Sequence, residues 1–143
     1  MKPVFADAFF YVACLNRADQ HHEKAVAFAS RWSGRMVTTR FVLIEVADAL
    51  AGSASRSKVP AFIAALENDS TVSIFEPRPA LLQRALRLYE ERPDKEWTLT
   101  DCISFVIMAD EGLTDALTVI AISSRRALEP FSNNSVRLER QRI

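Results

Sequence analysis

Four short runs rich in β-branched and aromatic residues, "PVFAD", "MVTT", "TVSIFE" and "DALTVIAI", punctuate the chain, and sequence of helical periodicity fills the gaps between them. Short apolar strands alternating with helices predict an α/β sandwich: a mostly parallel central sheet flanked by helices in three layers. The helical segments are well marked. "DQHHEKAVAFASRWSG" has Asp19 as an N-cap candidate and Gly34 at its end, and "RFVLIEVADALAG" sets Phe41, Leu43, Ile44, Ala47 and Leu50 near one face with Gly52 as a stop. "KVPAFIAALEND" carries Pro60 near its start, where a missing N–H costs least. "PALLQRALRLYEER" stripes Leu81, Leu82, Ala85, Leu88 and Tyr89 before Pro93 stops it, and "TDCISFVIMADEG" is expected to be capped by Thr100 or Asp101 and closed by Gly112.

At 143 residues the chain fits one domain with a single core. Its composition, 49% hydrophobic and 25% charged, is that of a soluble globular protein. Cys14 and Cys102 lie far apart in apolar runs with no zinc-type spacing, and read as reduced core thiols. Asp7 interrupts the apolar N-terminal stretch and no small-residue cleavage site follows it. That excludes a signal peptide or membrane span and points to the cytoplasm. With three glycines in all, and no GxSxG, P-loop or GxGxxG pattern, nucleotide-cradling loops and serine hydrolase chemistry fall away. His21 and His22 are adjacent, so they face different sides of a helix and suit surface or capping roles.

Three acids remain in apolar surroundings: Asp7 in "VFADAFF", Glu45 in "FVLIEVADAL" and Asp101 in "WTLTDCISFVIM". A buried carboxylate is costly without a partner, so each requires a cap role, a cation or a solvent cleft. Singly, Asp7 can end a strand, Glu45 can pair with a cation and Asp101 can cap a helix. Together they suit a hard divalent ion, which prefers a few carboxylates plus water and leaves room for a phosphate oxygen. Such ions activate water and stabilise the leaving oxygen in phosphodiester hydrolysis. Asp48, three residues after Glu45, reads as a solvent-facing helix acid.

These residues carry a resemblance. "VFADAFFYVACLNRADQHHEKA", with its spacing from Asp7 to Asp19 and His22, "VTTRFVLIEVADAL" around Glu45, "RPDKEWTLTDCISFVIM" around Asp101, and "EGLTDALT" resemble the PIN-domain ribonucleases of the VapC toxin type over residues 3–118. The third stretch is the most specific. The resemblance implies a PIN-like sandwich in which Asp7, Glu45 and Asp101 are both the metal ligands, for Mg²⁺ or Mn²⁺, and the catalytic acids for attack of water on RNA. It further implies a homodimer and a cognate VapB-like antitoxin as partner, the pair forming a type II toxin-antitoxin system.

After "ALT" the resemblance ends. The family pattern continues with a fourth acid and an aromatic-rich tail, something like "VDRHFEQAGF", where this chain has "VIAISSRRAL". One permitted codon set for Val119 to Leu128 is GTG ATC GCC ATT TCG AGC AGG CGG GCT TTG. Without its first two bases this string reads Asp-Arg-His-Phe-Glu-Gln-Ala-Gly-Phe. From Val119 onward the chain carries five arginines against Glu129 and Glu139, a net +3, so the preceding part carries −3. The expectation is a PIN domain over 1–122, in which Ile120 replaces the fourth acid, and an atypical, frameshifted and poorly ordered tail over 123–143. The nuclease reading therefore has an alternative: a catalytically impaired PIN domain that binds antitoxin or RNA without cleaving it.

Overall fold

The computed structural model describes residues 2–114 and 116–117. Strands β1 (Val4–Ala6), β2 (Met36–Thr39), β3 (Val72–Phe75) and β4 (Ala116–Leu117) form a sheet in the order β3-β2-β1-β4. Every pairing among them is parallel, Val4 lying against Met36, Met36 against Val72 and Phe5 against Ala116. Helices α1 (Ala8–Leu15) and α2 (His22–Arg31) connect β1 to β2. Next, α3 (Arg40–Ala49), a 3-10 turn at Arg56–Lys58 and α4 (Val59–Glu67) lead to β3, and α5 (Pro79–Glu91) and α6 (Leu99–Asp110) lead to β4.

The path steps from β1 to β2 to β3 in one direction, then returns across the sheet to the far side of β1. Because crossovers between parallel strands are right-handed, the outward steps place α1 to α4 on one face and the return places α5 and α6 on the other. This is the expected three-layer α/β sandwich. Packing follows the same division: α1 rests on α2 and α3, and α5 rests on α6.

Central position explains the composition of β1. Val4, Phe5 and Ala6 are all buried, as a parallel strand covered on both faces requires, whereas the edge strand β3 is only half-buried throughout. The core continues through Phe10 and Ala13 of α1, Val42, Leu43 and Val46 of α3, and Cys102, Ile103 and Val106 of α6. Fully burying each of the larger of these side chains contributes roughly 1.5–3 kcal/mol. Phe41 and Phe62 are partly buried against this core.

Two caps differ from expectation. Asp19 does not cap α2; His21 does, and the Asp19 carboxylate instead accepts from the His21 N–H at 2.8 Å in the turn before it. The α6 cap is Thr98, with Asp101 three positions on. The expected strand "DALTVIAI" is described only at Ala116–Leu117. Its remainder, the boundary at 122 and the frameshifted tail lie outside the described residues. Gly112 adopts φ +65°, the left-handed conformation that lets the chain leave α6 toward β4.

Candidate functional site

In open parallel sheets, sites form beyond the carboxyl ends of the strands where the winding reverses. Here that place is β1, whose neighbours β2 and β4 belong to opposite directions of travel. Asp7 is the residue immediately after β1. It N-caps α1 with extended backbone, and its Oδ1 accepts from the Phe10 N–H at 3.0 Å. One apolar run thus makes a buried strand, a sharp exit and a helix start, with a carboxylate fixed at the junction.

A similar junction presents Glu45. Thr39 is both the last residue of β2 and the N-cap of α3, its Oγ1 accepting from the Val42 N–H at 3.1 Å. The preceding Thr38 hydroxyl donates to the Ala6 carbonyl at 2.9 Å and so ties β2 to the residue before Asp7. Glu45 lies in the middle of α3, which packs on α1. Asp101 arrives from the opposite layer on the first turn of α6. There it forms a reciprocal capping box: the Asp101 N–H donates to Thr98 Oγ1 at 3.0 Å, and Asp101 Oδ2 accepts from the Thr98 N–H at 2.9 Å.

Asp7, Glu45 and Asp101 thus come from three elements and lie within electrostatic reach of one another. Burial pushes the Asp7 carboxyl up to about 7; the Phe10 N–H opposes the rise, while the charges of Asp101 and Glu45 add to it. Glu45 is also raised, first by burial and then by Asp101 and Asp48. Three carboxylates on separate elements repelling one another is unfavourable in itself, and a hard cation relieves it. As donors they fit Mg²⁺ or Mn²⁺, which take carboxylate oxygens. Among the described residues, no three His, Cys, Asp or Glu side chains converge as a preformed metal-holding group. Asp101 Oδ2 is committed to its cap and Asp7 Oδ1 to Phe10, which holds these two side chains where their helices need them.

The remaining sequence candidates fall outside this cluster. Asp48 is exposed, as expected, although its charge reaches Glu45. His22 Nδ1 lies 2.8 Å from the Ala13 carbonyl and fastens α2 to α1, while His21 makes no side-chain cap. Both cysteines are free thiols. Sequence reasoning missed Thr98, Thr38 and Thr39. For Thr98 a signal was present, since "TLTD" has the capping-box spacing; nothing local marks Thr38, whose partner is 32 residues away.

No protein-family model and no curated protein sequence matches the chain. Among solved structures, the fold is similar to the crystal structure of Mycobacterium tuberculosis VapC20, described as a sarcin-ricin loop cleaving toxin. The TM-score is 0.75 at 21% sequence identity, over 88% of this chain and 99% of that one. The likeness establishes the class of fold: an α/β sandwich of the kind found in the PIN-domain toxin VapC20. Among the described residues, no helix is long and apolar enough to cross a membrane.

Proposed function

We propose that this chain is a divalent-metal-dependent endoribonuclease, the VapC-like toxin of a toxin-antitoxin pair, hydrolysing RNA phosphodiester bonds at Asp7, Glu45 and Asp101. The observation that carries the reading is that carboxylates from the β1–α1 junction, α3 and α6 lie within electrostatic reach of one another near the switch point of the sheet, where Asp7 and Glu45 are raised by burial and by neighbouring acids. VapC20 has this fold and is described as a sarcin-ricin loop cleaving toxin. The RNA substrate, a VapB-like antitoxin, a homodimer and a cytoplasmic location belong to the same proposal.

Asp7, Glu45 and Asp101 are the residues that would hold Mg²⁺ or Mn²⁺, and the ion supplies positive charge for the phosphodiester and for the oxygen that departs. Asp7, whose carboxyl is raised to about 7 by burial and by the neighbouring acids, is the acid whose charge the ion would relieve most. Thr98 and Phe10 orient Asp101 and Asp7 through the hydrogen bonds that also start their helices. Glu45, half-buried on α3, supplies the third negative charge.

A second reading is favoured by the lack of a converged metal-holding group among the described residues, together with Ile120, which brings no side-chain oxygen. In it the chain is an impaired PIN domain that binds antitoxin or RNA without cutting. Removing a support of a metal site typically costs ~10–100-fold in affinity or activity. The deciding experiment compares Mn²⁺-dependent RNA cleavage by this chain with a version carrying the alternative-frame tail from position 120. Cleavage by the chain as it stands supports the nuclease; cleavage by the restored form alone supports the impaired reading. Sequencing the gene tests the frameshift directly, and codons incompatible with the alternative frame exclude it.

A further inference from the structure

A cleft of about 670 Å³ lies between the end of α5 and the start of α6, and one of its walls is Thr98, the residue locked to Asp101. Tyr89, 53% exposed, presents its ring on one side. Trp97 forms the other side and is anchored edge-on against Phe105 of α6, with ring centroids 4.7 Å apart. Two cations stand over the Trp97 ring: the Arg92 guanidinium at 5.4 Å and the Lys95 ammonium at 5.7 Å from its centroid. Arg92 is further fixed by a two-point pair to Asp94 at 2.9 and 3.0 Å. Glu90 and Glu96 also line the cleft, and with Asp94 already paired to Arg92 the acids outnumber the two cations, so the cleft holds no positive net field.

We infer that this cleft is a nucleotide-binding subsite for single-stranded RNA, next to the acid site proposed above and resting on that reading. The base stacks on Tyr89, and the phosphate meets Lys95, which Trp97 holds in place. Its volume is that of small-molecule sites. An exposed aromatic ring beside cations is the chemistry by which proteins take single strands without reading their sequence. Thr98, on the cleft wall, is joined to Asp101 by the capping box, so a strand bound here lies beside the helix end that carries one of the three acids. Because Asp94, Glu90 and Glu96 outnumber the cations, stacking leads and charge is secondary. The dependence of log affinity on log salt is then shallow, with a slope of about −1, as for one or two phosphate contacts to a single strand.

Fluorescence provides the test. The chain has two tryptophans, so Trp32→Phe leaves Trp97 as the reporter, and Asp7→Asn blocks cleavage while a mixed-sequence single-stranded RNA decamer is titrated. The subsite predicts saturable quenching, a loss of affinity of about tenfold in Tyr89→Ala and in Lys95→Glu, and recovery in Tyr89→Phe. With Asp7 restored, Tyr89→Ala raises KM about tenfold and leaves kcat within about twofold. Unchanged affinity in both Tyr89→Ala and Lys95→Glu overturns the subsite. So does a Tyr89→Ala protein whose sedimentation mass falls while its RNA affinity stays the same, because Tyr89 then serves contact between copies. RNA cut without Tyr89-dependent binding removes the cleft alone, and RNA bound here but never cut removes the nuclease reading alone.

Discussion

Replacing Asp7 with Asn is expected to make the metal-free protein more stable at pH 8. The folded-state carboxyl of Asp7 lies at about 7, against 3.8 ordinarily. Between those values the folded protein keeps a proton that the unfolded chain has released, so the contribution of Asp7 to stability falls as pH rises through this window. Above it the full cost is present. At ~1.36 kcal/mol per pH unit the ceiling is about 4 kcal/mol. Solvent reaching this half-buried side chain lowers it, and Asn loses the favourable placement of a charge at a helix N-terminus, worth about 0.3–1 kcal/mol. Asn caps helices as well as Asp does, so the bond from the Phe10 N–H is retained.

The net expectation is a gain of about 2 kcal/mol at pH 8 and under about 1 kcal/mol at pH 4. Urea unfolding in EDTA at both pH values measures it. A variant less stable than the parent at pH 8, or equally favoured at both pH values, refutes the assignment of Asp7 as a strained acid. Such a gain joined to loss of activity is the mark of a site whose local energetics are set by function rather than by folding.

Further expectations follow from the same geometry. Mn²⁺ should raise the melting temperature more at pH 8 than at pH 5, because it must displace the proton on Asp7, and saturation at about a hundred times Kd corresponds to ~2.7 kcal/mol; equal shifts would place the ion elsewhere. Thr98→Ala removes the hydroxyl that accepts from Asp101 and should cost about 1 kcal/mol in urea unfolding, with RNA cleavage reduced beyond what that stability loss explains. Gly112→Ala meets no neighbour but must adopt φ +65°, so a destabilisation of about 1 kcal/mol is expected, and a neutral result would show that the turn relaxes. Leu43→Ala, at a fully buried position in α3, should cost about 2–5 kcal/mol by the same measurement.

The architecture was legible because its signals are local. "MVTT" is β2 residue for residue, and "PVFAD" contains β1 with the acid just past its end, because β-branched and apolar runs a few residues long have little alternative in a parallel sheet. The three acids stand out in the sequence for a related reason: a charge in an apolar run is costly unless something requires it. What sequence obscured was the competition for each polar group. Asp19 looks like a cap, but its carboxylate is taken by the His21 N–H inside the turn, so α2 starts later. Thr98 outcompetes Thr100 and Asp101 for the start of α6, because Asp101 serves as the reciprocal partner of the capping box rather than as the cap. The tie from Thr38 to Ala6 depends on strand order, which no local pattern specifies.

Cleavage of a labelled RNA in Mn²⁺ and in EDTA, by the parent chain and by Asp7→Asn, Glu45→Gln and Asp101→Asn, tests the central claim most directly. The account predicts cutting by the parent that EDTA abolishes and that each substitution lowers by at least about a hundredfold, with all four proteins folded. Metal-independent cutting, or cutting that survives in Asp7→Asn, would contradict it.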